Sequence, residues 1–510
     1  MGGMCLRSVY TVTLTGAVRE LNNPPKNSSV ATRENALAFA LVGVLASMTL
    51  LPQLANPVWQ DEAATLMVFA SGSFTDAFTN YSMPNNHPLF SAMLSLLWTR
   101  GDSGLALRLL PLLSWLATLL LLATALPRFA AGARLCGLAL FSASAVTAAF
   151  ALQLRGYAMS WPFALLLCRA APTFVIHARP AAGLLCVLWC FALVAIVPSN
   201  ALVGAVCGGW MLLITLWLRP TSRLMWVRAV GVALLPLIAL SIYLPHFEQL
   251  RRHANSGLSS WSDAALISHW LLASSAQFAP LLPLFLIGGW LGVRRRRVPD
   301  ALADDHAGLL LGAALASVVV AVVLLPVALF PRLLVPLLPL WCLALGALMH
   351  RSWRAFSESR QHLPRSAGLI ALLAVYLIAQ RLPACGGFWP QEIARADLCQ
   401  QFYRQDYRPR AAYDFLHQQP GAAAQAVMLD SEAAWAFGFL AWNGAGSALN
   451  LVEYRAWRNA TPAREPPAFV VTRKQGDFTH LLQSAHLGEP QRAQRIFAQG
   501  FFEIWHLYWD

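Results

Sequence analysis

Charge is what this 510-residue sequence has least of. Asp, Glu, Lys and Arg make up 12% of it, against about 25% in soluble domains. Hydrophobic residues make up 57%, and mean hydropathy is +0.52. That scarcity excludes an ordinary soluble enzyme and points to a polytopic membrane protein. A continuous basic face is also missing. The net charge is +13, but the arginines fall mostly between apolar segments. They read as topology determinants, and nucleic acid is not an expected partner. There is no CxxC pair and no zinc-ligand spacing. The nine cysteines are scattered, most of them inside apolar segments as small hydrophobes. Cys385 and Cys399 alone share a polar region. A disulfide there requires an oxidising compartment, and two free thiols is the alternative. Residues 1–34 lack the short apolar core of a cleavable signal peptide and are expected to form a cytoplasmic tail.

The stretch from Val58 to Arg108 is the distinctive one. It holds an acidic pair, Asp61 and Glu62, then His87-Pro88, then an apolar run at 88–99. A bilayer-crossing helix needs about 20 residues at 1.5 Å each, so this run is too short to span. It reads as a helix on or against the membrane surface. Treating it so places Arg128, Arg134, Arg179, Arg219, Arg223, Arg228, Arg294 to Arg297 and the arginines from Arg351 to Arg365 all on the inner side, as the positive-inside rule requires. Counting it as a span inverts every later loop.

Spans are then expected near 35–54, 106–126, 135–152, 157–176, 181–197, 201–218, 229–245, 274–293, 307–330, 333–349 and 366–381. That is about eleven by hydropathy, with the N-terminus inside and the C-terminus outside. The external loop from His246 to His269 is either a substrate lid or a solvated connector. From Leu382 to Asp510 polarity rises, and β-type runs appear at 426–430, 469–473 and 502–509 with helical stretches between them. This reads as a small external α/β domain. The expected organisation is a tail (1–34), a membrane domain (35–381) whose external loop 55–105 carries the acidic pair, and a periplasmic domain (382–510).

Three readings of Asp61 stand open. It caps the helix EAATLMVFA, with Ala64 at N3 and so no capping-box partner. It is a solvated loop charge. Or, with Glu62, it is a general base or cation ligand at the outer membrane face. His87 is either an exposed turn residue or a donor to a phosphate or hydroxyl. Arg108, Arg155 (beside Tyr157) and Arg332 sit at outer turns against the positive-inside trend. Each can snorkel; together they point to a shared anion, for which arginine forks are suited.

The ordered set DEAATL, NNHPLFSAMLSLLW, GDSGLALRLLPLL, LRGYA and PRLLVPLLP resembles the GT-C superfamily of polyprenyl-phosphate-sugar-dependent glycosyltransferases, near the protein O-mannosyltransferases and lipid A aminoarabinose transferases. The match covers about residues 35–350. The family's HPP-type motif is His87-Pro88-Leu89 here, its RLP is Arg108-Leu109-Leu110-Pro111, and Leu333 follows the Pro-Arg pair where tyrosine is common. The resemblance implies a helical GT-C-like membrane protein of the bacterial inner membrane. It implies inverting transfer of one sugar from an undecaprenyl-phosphate-type donor to a membrane-associated envelope acceptor. Asp61 is the expected base and Glu62 its back-up; Arg155, Tyr157, Arg332, Arg108 and His87 are the expected donor-phosphate residues. An Asp-Glu pair is too few ligands to demand a divalent cation. Metal use stays open, with Asp61 and Glu62 as ligands if one binds. The rival classes are a lipid-linked sugar transporter or flippase, and an oligosaccharide ligase or polymerase. A transporter is expected to show paired broken spans in two halves, and no such repeat is visible.

Overall fold

The computed structural model describes residues 40, 42–44, 50, 54, 56–81, 86–98, 104–124, 129–218, 222–248, 281–294, 310–316, 331–358, 408–443, 449–454, 466–473, 478–498 and 501–509. The expected tail 1–34, the span at 366–381, nearly all of those at 35–54 and 307–330, and the Cys385–Cys399 pair lie outside them. So does the external loop beyond residue 248.

Residues 40, 42–44 and 50 are helical, and the short helix α1 (Gln60–Ala64) after them widens into a π turn, Thr65–Phe69. Helix α2 (Phe74–Thr79) follows, closed by a reciprocal Ser73/Asp76 capping box. The Ser73 hydroxyl and amide hold the Asp76 carboxyl below its usual range. Helix α3 (Pro88–Leu97) is the short apolar run. Its ten residues reach about 15 Å, half of a bilayer's hydrocarbon thickness. Proline at its first position fits a site where no N–H is needed. Phe90, Ser91, Ala92 and Leu94 are buried, while Leu96 and Leu97 face outward. The helix is thus a surface-packed element, as its length predicts.

Among the described residues four helical stretches are long and apolar enough to cross a membrane: Tyr157–His177, Pro198–Leu218, Arg223–His246 and Leu334–Phe356. They contain, in order, α7 (Tyr157–His177), α9 (Ala201–Leu218), α10 (Arg223–Ala239) and α12 (Leu338–Glu358). Shorter helices α4 (Leu109–Thr124), α5 (Ala131–Ala143), α6 (Ala145–Phe150), α8 (Pro180–Ile196) and α11 (Leu282–Arg294) pack with them. One expected span differs. The run at 135–152 is two helices, because Ser144 adopts an extended conformation and its hydroxyl accepts from Val146 N and Thr147 N. The cap ends α5 and starts α6, and the chain leaves α6 as the irregular segment 151–156.

Without a hydrophobic drive between helices in lipid, close approach and polar ties set their packing. A Cβ on Gly346 of α12 would lie 2.3 Å from Gly137 N of α5, so these backbones touch. Trp161 Nε1 donates to Val335 O (2.9 Å), tying α7 to the 3-10 turn Pro331–Leu337. Asn200, in the tight turn after α8, donates to Ser160 Oγ and to Leu193 O, both at 2.8 Å.

The C-terminal part contains helices α13 (Pro409–His417), α14 (Ser431–Asn443) and α15 (Phe478–Ser484) around a five-stranded sheet. The strands are β1 (Ala426–Leu429), β2 (Asn450–Glu453), β3 (Phe469–Arg473), β4 (Arg492–Phe497) and β5 (Phe502–Tyr508), in the order β2-β1-β3-β5-β4. The β1 strand is parallel to β2 and β3; β5 runs antiparallel to β3 and β4. Asp430 caps α14 through Ala433 N (2.7 Å) and also accepts from Arg473 N (2.8 Å). That helix then lies on the membrane part. Phe439 joins a cluster with Val58, Ala63, Leu66 and Leu107, and Trp442 stacks on Trp98 with ring centres 5.1 Å apart. The result is a mostly helical protein with a small C-terminal sheet domain.

Candidate functional site

A buried stretch without helical hydrogen bonds must find partners for its amides and carbonyls, because burial removes the water that would otherwise serve them. Residues 151–156 are such a stretch, buried throughout between α6 and α7. Side chains from earlier in the chain meet this need. Arg108 Nη1 donates to Leu152 O at 2.5 Å, Leu154 N donates to Glu62 Oε1 at 2.7 Å, and Gly156 N donates to His87 Nδ1 at 3.1 Å.

Glu62 is fully buried and Arg108 is 1% exposed. Their fork is bidentate, Nη1 to Oε1 at 2.9 Å and Nη2 to Oε2 at 3.2 Å. Arg108 Nη2 also donates to Asn56 O (3.0 Å), and Trp59 N donates to Glu62 Oε2 (3.3 Å). This last bond corrects the expected helix start. The helix begins at Gln60 behind Trp59, so Glu62 is the N3 residue that reaches back, and Asp61 is not an N-cap. The Trp59 side chain has no acceptor for a cap, which is why the start is hidden in the sequence.

Consecutive helical residues point about 100° apart, so Asp61 faces elsewhere. It pairs with Arg155 Nη1, its side chain 14% exposed and that of Arg155 3%. Arg155 also lies against His87, with Nη2 2.9 Å and Nε 3.2 Å from Nε2. Its guanidinium stands 5.5 Å over the Tyr157 ring, and the His87 and Tyr157 rings meet edge to face at 4.9 Å. A neutral imidazole has one lone pair, so His87 accepts either from Gly156 N or from Arg155, not from both. Gly156 N–H is aimed at Nδ1 and Arg155 Nε–H at Nε2, so the ring is held between them. The guanidinium fork of Arg155, paired here with Asp61, is the group suited to an anionic oxygen.

The turn before His87 is fixed by Asn86. Its amide nitrogen donates to Asn80 O (2.6 Å) and Ala77 O (3.1 Å), and its oxygen accepts from Ser91 Oγ (2.7 Å). Sequence reasoning saw Asn86 only as turn polarity, and it missed the backbone groups of Leu152, Leu154 and Gly156. The glycine of LRGYA was the one available signal, because glycine marks close backbone approach. Of the seven expected site residues, Asp61, Glu62, His87, Arg108, Arg155 and Tyr157 come together. Arg332 has its backbone in the Pro331–Leu337 turn, and its side chain lies outside the described residues. Among the described residues, no three His, Cys, Asp or Glu side chains converge as metal ligands.

Gly156 gives a sharp test of this packing. A Cβ there would lie 2.3 Å from Ile196 Cγ2 and 2.9 Å from His87 Nδ1. Gly156→Ala is expected to lower stability by about 1–3 kcal/mol, the usual cost of overpacking, and to impair whatever His87 and Arg155 bind. A variant with wild-type melting behaviour and wild-type ligand affinity would mean the backbone yields there at no cost.

No protein-family model and no curated protein sequence matches the chain. Among solved structures it is similar to the crystal structure of ArnT from Cupriavidus metallidurans in the apo state. The TM-score is 0.51 and the identity 15%, over 94% of this chain and 98% of that one. At that identity the likeness concerns the fold alone. The chain has the fold of that crystal structure.

Proposed function

We propose that this protein is an integral-membrane inverting glycosyltransferase. It moves a single sugar from an undecaprenyl-phosphate-type lipid donor to an envelope acceptor hydroxyl at the periplasmic face of the bacterial inner membrane. The observation that carries this reading is the convergence of Asp61, Arg155, His87 and Tyr157 at the start of α7, close to the short apolar helix α3. The likeness of fold to ArnT, a lipid A aminoarabinose transferase, supports it.

In this mechanism Asp61 takes the proton of the acceptor hydroxyl. The acceptor oxygen attacks the anomeric carbon from the face opposite the phosphate. The bond from that carbon to the phosphate oxygen breaks, and its electron pair leaves with the lipid phosphate. Negative charge grows on the leaving phosphate, so cations placed there beforehand are the largest expected catalytic contribution. Arg155 supplies a cationic fork held against His87, and Arg332 is the candidate to approach from the Pro331–Leu337 turn. The arriving phosphate competes with Asp61 for Arg155, which frees the carboxylate to act as base as the donor binds. Glu62 and Arg108 have a different part. Their fork holds Leu152 and Leu154 and so sets where Arg155 stands. With Glu62 engaged in this way, a two-carboxylate cation site at residues 61 and 62 is disfavoured.

The test is sugar transfer by the purified protein from a polyprenyl-phosphate-sugar donor. Arg155→Lys is expected to fail nearly as badly as Arg155→Ala, because lysine cannot offer the fork. Lysine activity close to wild type would remove the phosphate role from Arg155. Donor carried across a vesicle membrane with its sugar bond intact would show a transporter instead.

A further inference from the structure

A second recess lies far from this site in sequence, in the C-terminal sheet. A cavity of about 740 Å³ opens where β1 and β2 begin and β5 ends, lined by Gln425, Asn450, Pro466, His506, Tyr508 and Trp509 among others. Its volume falls within the range of about 300–1,000 Å³ that small-molecule sites occupy. Among the described residues that line it, none is Asp, Glu, Lys or Arg. Burial holds the His506 imidazole below its ordinary pKa, which keeps it neutral at pH 7. The lining is therefore flat aromatic surface with uncharged amides.

The aromatic rings are held in place and remain partly exposed. The Tyr508 side chain is large and hydrophobic, yet 37% of the residue is exposed. Its ring lies 4.4 Å from that of His506 and 5.3 Å from the Arg492 guanidinium, and its hydroxyl donates to Gln494 Oε1 at 3.4 Å. His506 in turn stacks on Phe469 at 4.7 Å, nearly parallel at 17°. Trp509 is pinned by its indole N–H, which donates to Pro467 O at 2.6 Å. Fixing exposed rings in advance lowers the ordering cost of binding. Gln425 and Asn450 are exposed at the rim, and each amide offers both donors and an acceptor.

We propose that this cavity is a binding site for an uncharged pyranose oligosaccharide. A pyranose presents an apolar C–H face and a rim of hydroxyls, each both donor and acceptor. An exposed, pre-set aromatic face beside two amides is complementary to both features. Among the described lining residues no charged side chain is available to a phosphate or carboxylate, and the adjacent Arg492 guanidinium lies against the Tyr508 ring. The site is distinct from the Asp61 cluster, and its occupation requires no transfer chemistry.

The experiment uses the full-length protein in lipid nanodiscs with no donor present, so its outcome is independent of the proposed transfer. Chitotriose, maltotriose and mannotriose are titrated by calorimetry and by saturation-transfer NMR, with adenosine as a flat aromatic control. At least one trisaccharide is expected to bind with Kd on the order of 1 mM. Tyr508→Ala is expected to weaken it about tenfold or more, and Tyr508→Phe to retain most of it. Asn450→Ala is expected to weaken it severalfold. These side chains are exposed, so the variants keep the core. Binding of none of the three sugars, binding of adenosine alone, or sugar binding unchanged in Tyr508→Ala each overturns the proposal.

Discussion

Asp61→Asn is expected to fold normally and to transfer sugar about 10² to 10⁴ times more slowly, the usual worth of a positioned acid or base. Two features of the site argue that the fold survives. Asp61 is not the helix cap, so no capping bond is lost. Its side chain is 14% exposed, and the asparagine oxygen can still accept from Arg155, so the arginine keeps a hydrogen-bond partner. A buried ion pair that loses one charge can cost about 3–5 kcal/mol, but solvent access and the retained bond place this site below that range. Donor affinity is expected to hold or rise, because Arg155 no longer has a competing carboxylate. The measurements are turnover with a purified donor and, separately, donor binding. Wild-type turnover in a folded Asp61→Asn protein removes Asp61 from the mechanism.

Glu62→Gln is expected to do the opposite: a large loss of stability with activity lost as a consequence. Both partners of the Glu62–Arg108 fork are essentially inaccessible to water. Removing the carboxylate charge leaves a buried guanidinium without its counterion, at a cost of about 3–5 kcal/mol. The amide also turns an N–H towards donors that the second carboxylate oxygen had served, namely Trp59 N and Arg108 Nη2. Removing the arginine as well, in Glu62→Gln with Arg108→Met, is expected to restore part of the stability. The recovery is incomplete because Leu152 O and Asn56 O lose their donor. Thermal inactivation in detergent reports this. A Glu62→Gln protein of wild-type stability that has lost only turnover would reverse the roles given to the two carboxylates.

The opposite expectations for neighbouring residues rest on helix phase. With the helix starting at Gln60, Glu62 turns inward to Arg108 and Leu154 while Asp61 turns to Arg155. The sequence reading put both at one site, with Asp61 as the base and Glu62 as its back-up. It offered Asp61 as a cap because Asp is a favoured cap residue and tryptophan is not.

What the sequence determined alone is what depends on local composition and length. Low charge and long apolar runs require a membrane protein. The run after His87 is too short to span, and it is a ten-residue helix capped at its start by a histidine-proline step. The apolar strands β1, β3 and β5 were also legible, because buried strands read as apolar runs. The strands that escaped, β2 and β4, are the two sheet edges. Their outer faces meet solvent, so residues such as Arg492, Gln494 and Arg495 carry no apolar pattern. Tertiary structure alone decided the pairings. Glu62 reaches Arg108 across 46 residues and Leu154 across 92, and Asp61 reaches Arg155 across 94. No local period encodes such contacts. They form because the unpaired backbone of residues 151–156 is buried where water cannot satisfy it, and the charged side chains of the first loop are what the fold brings within reach.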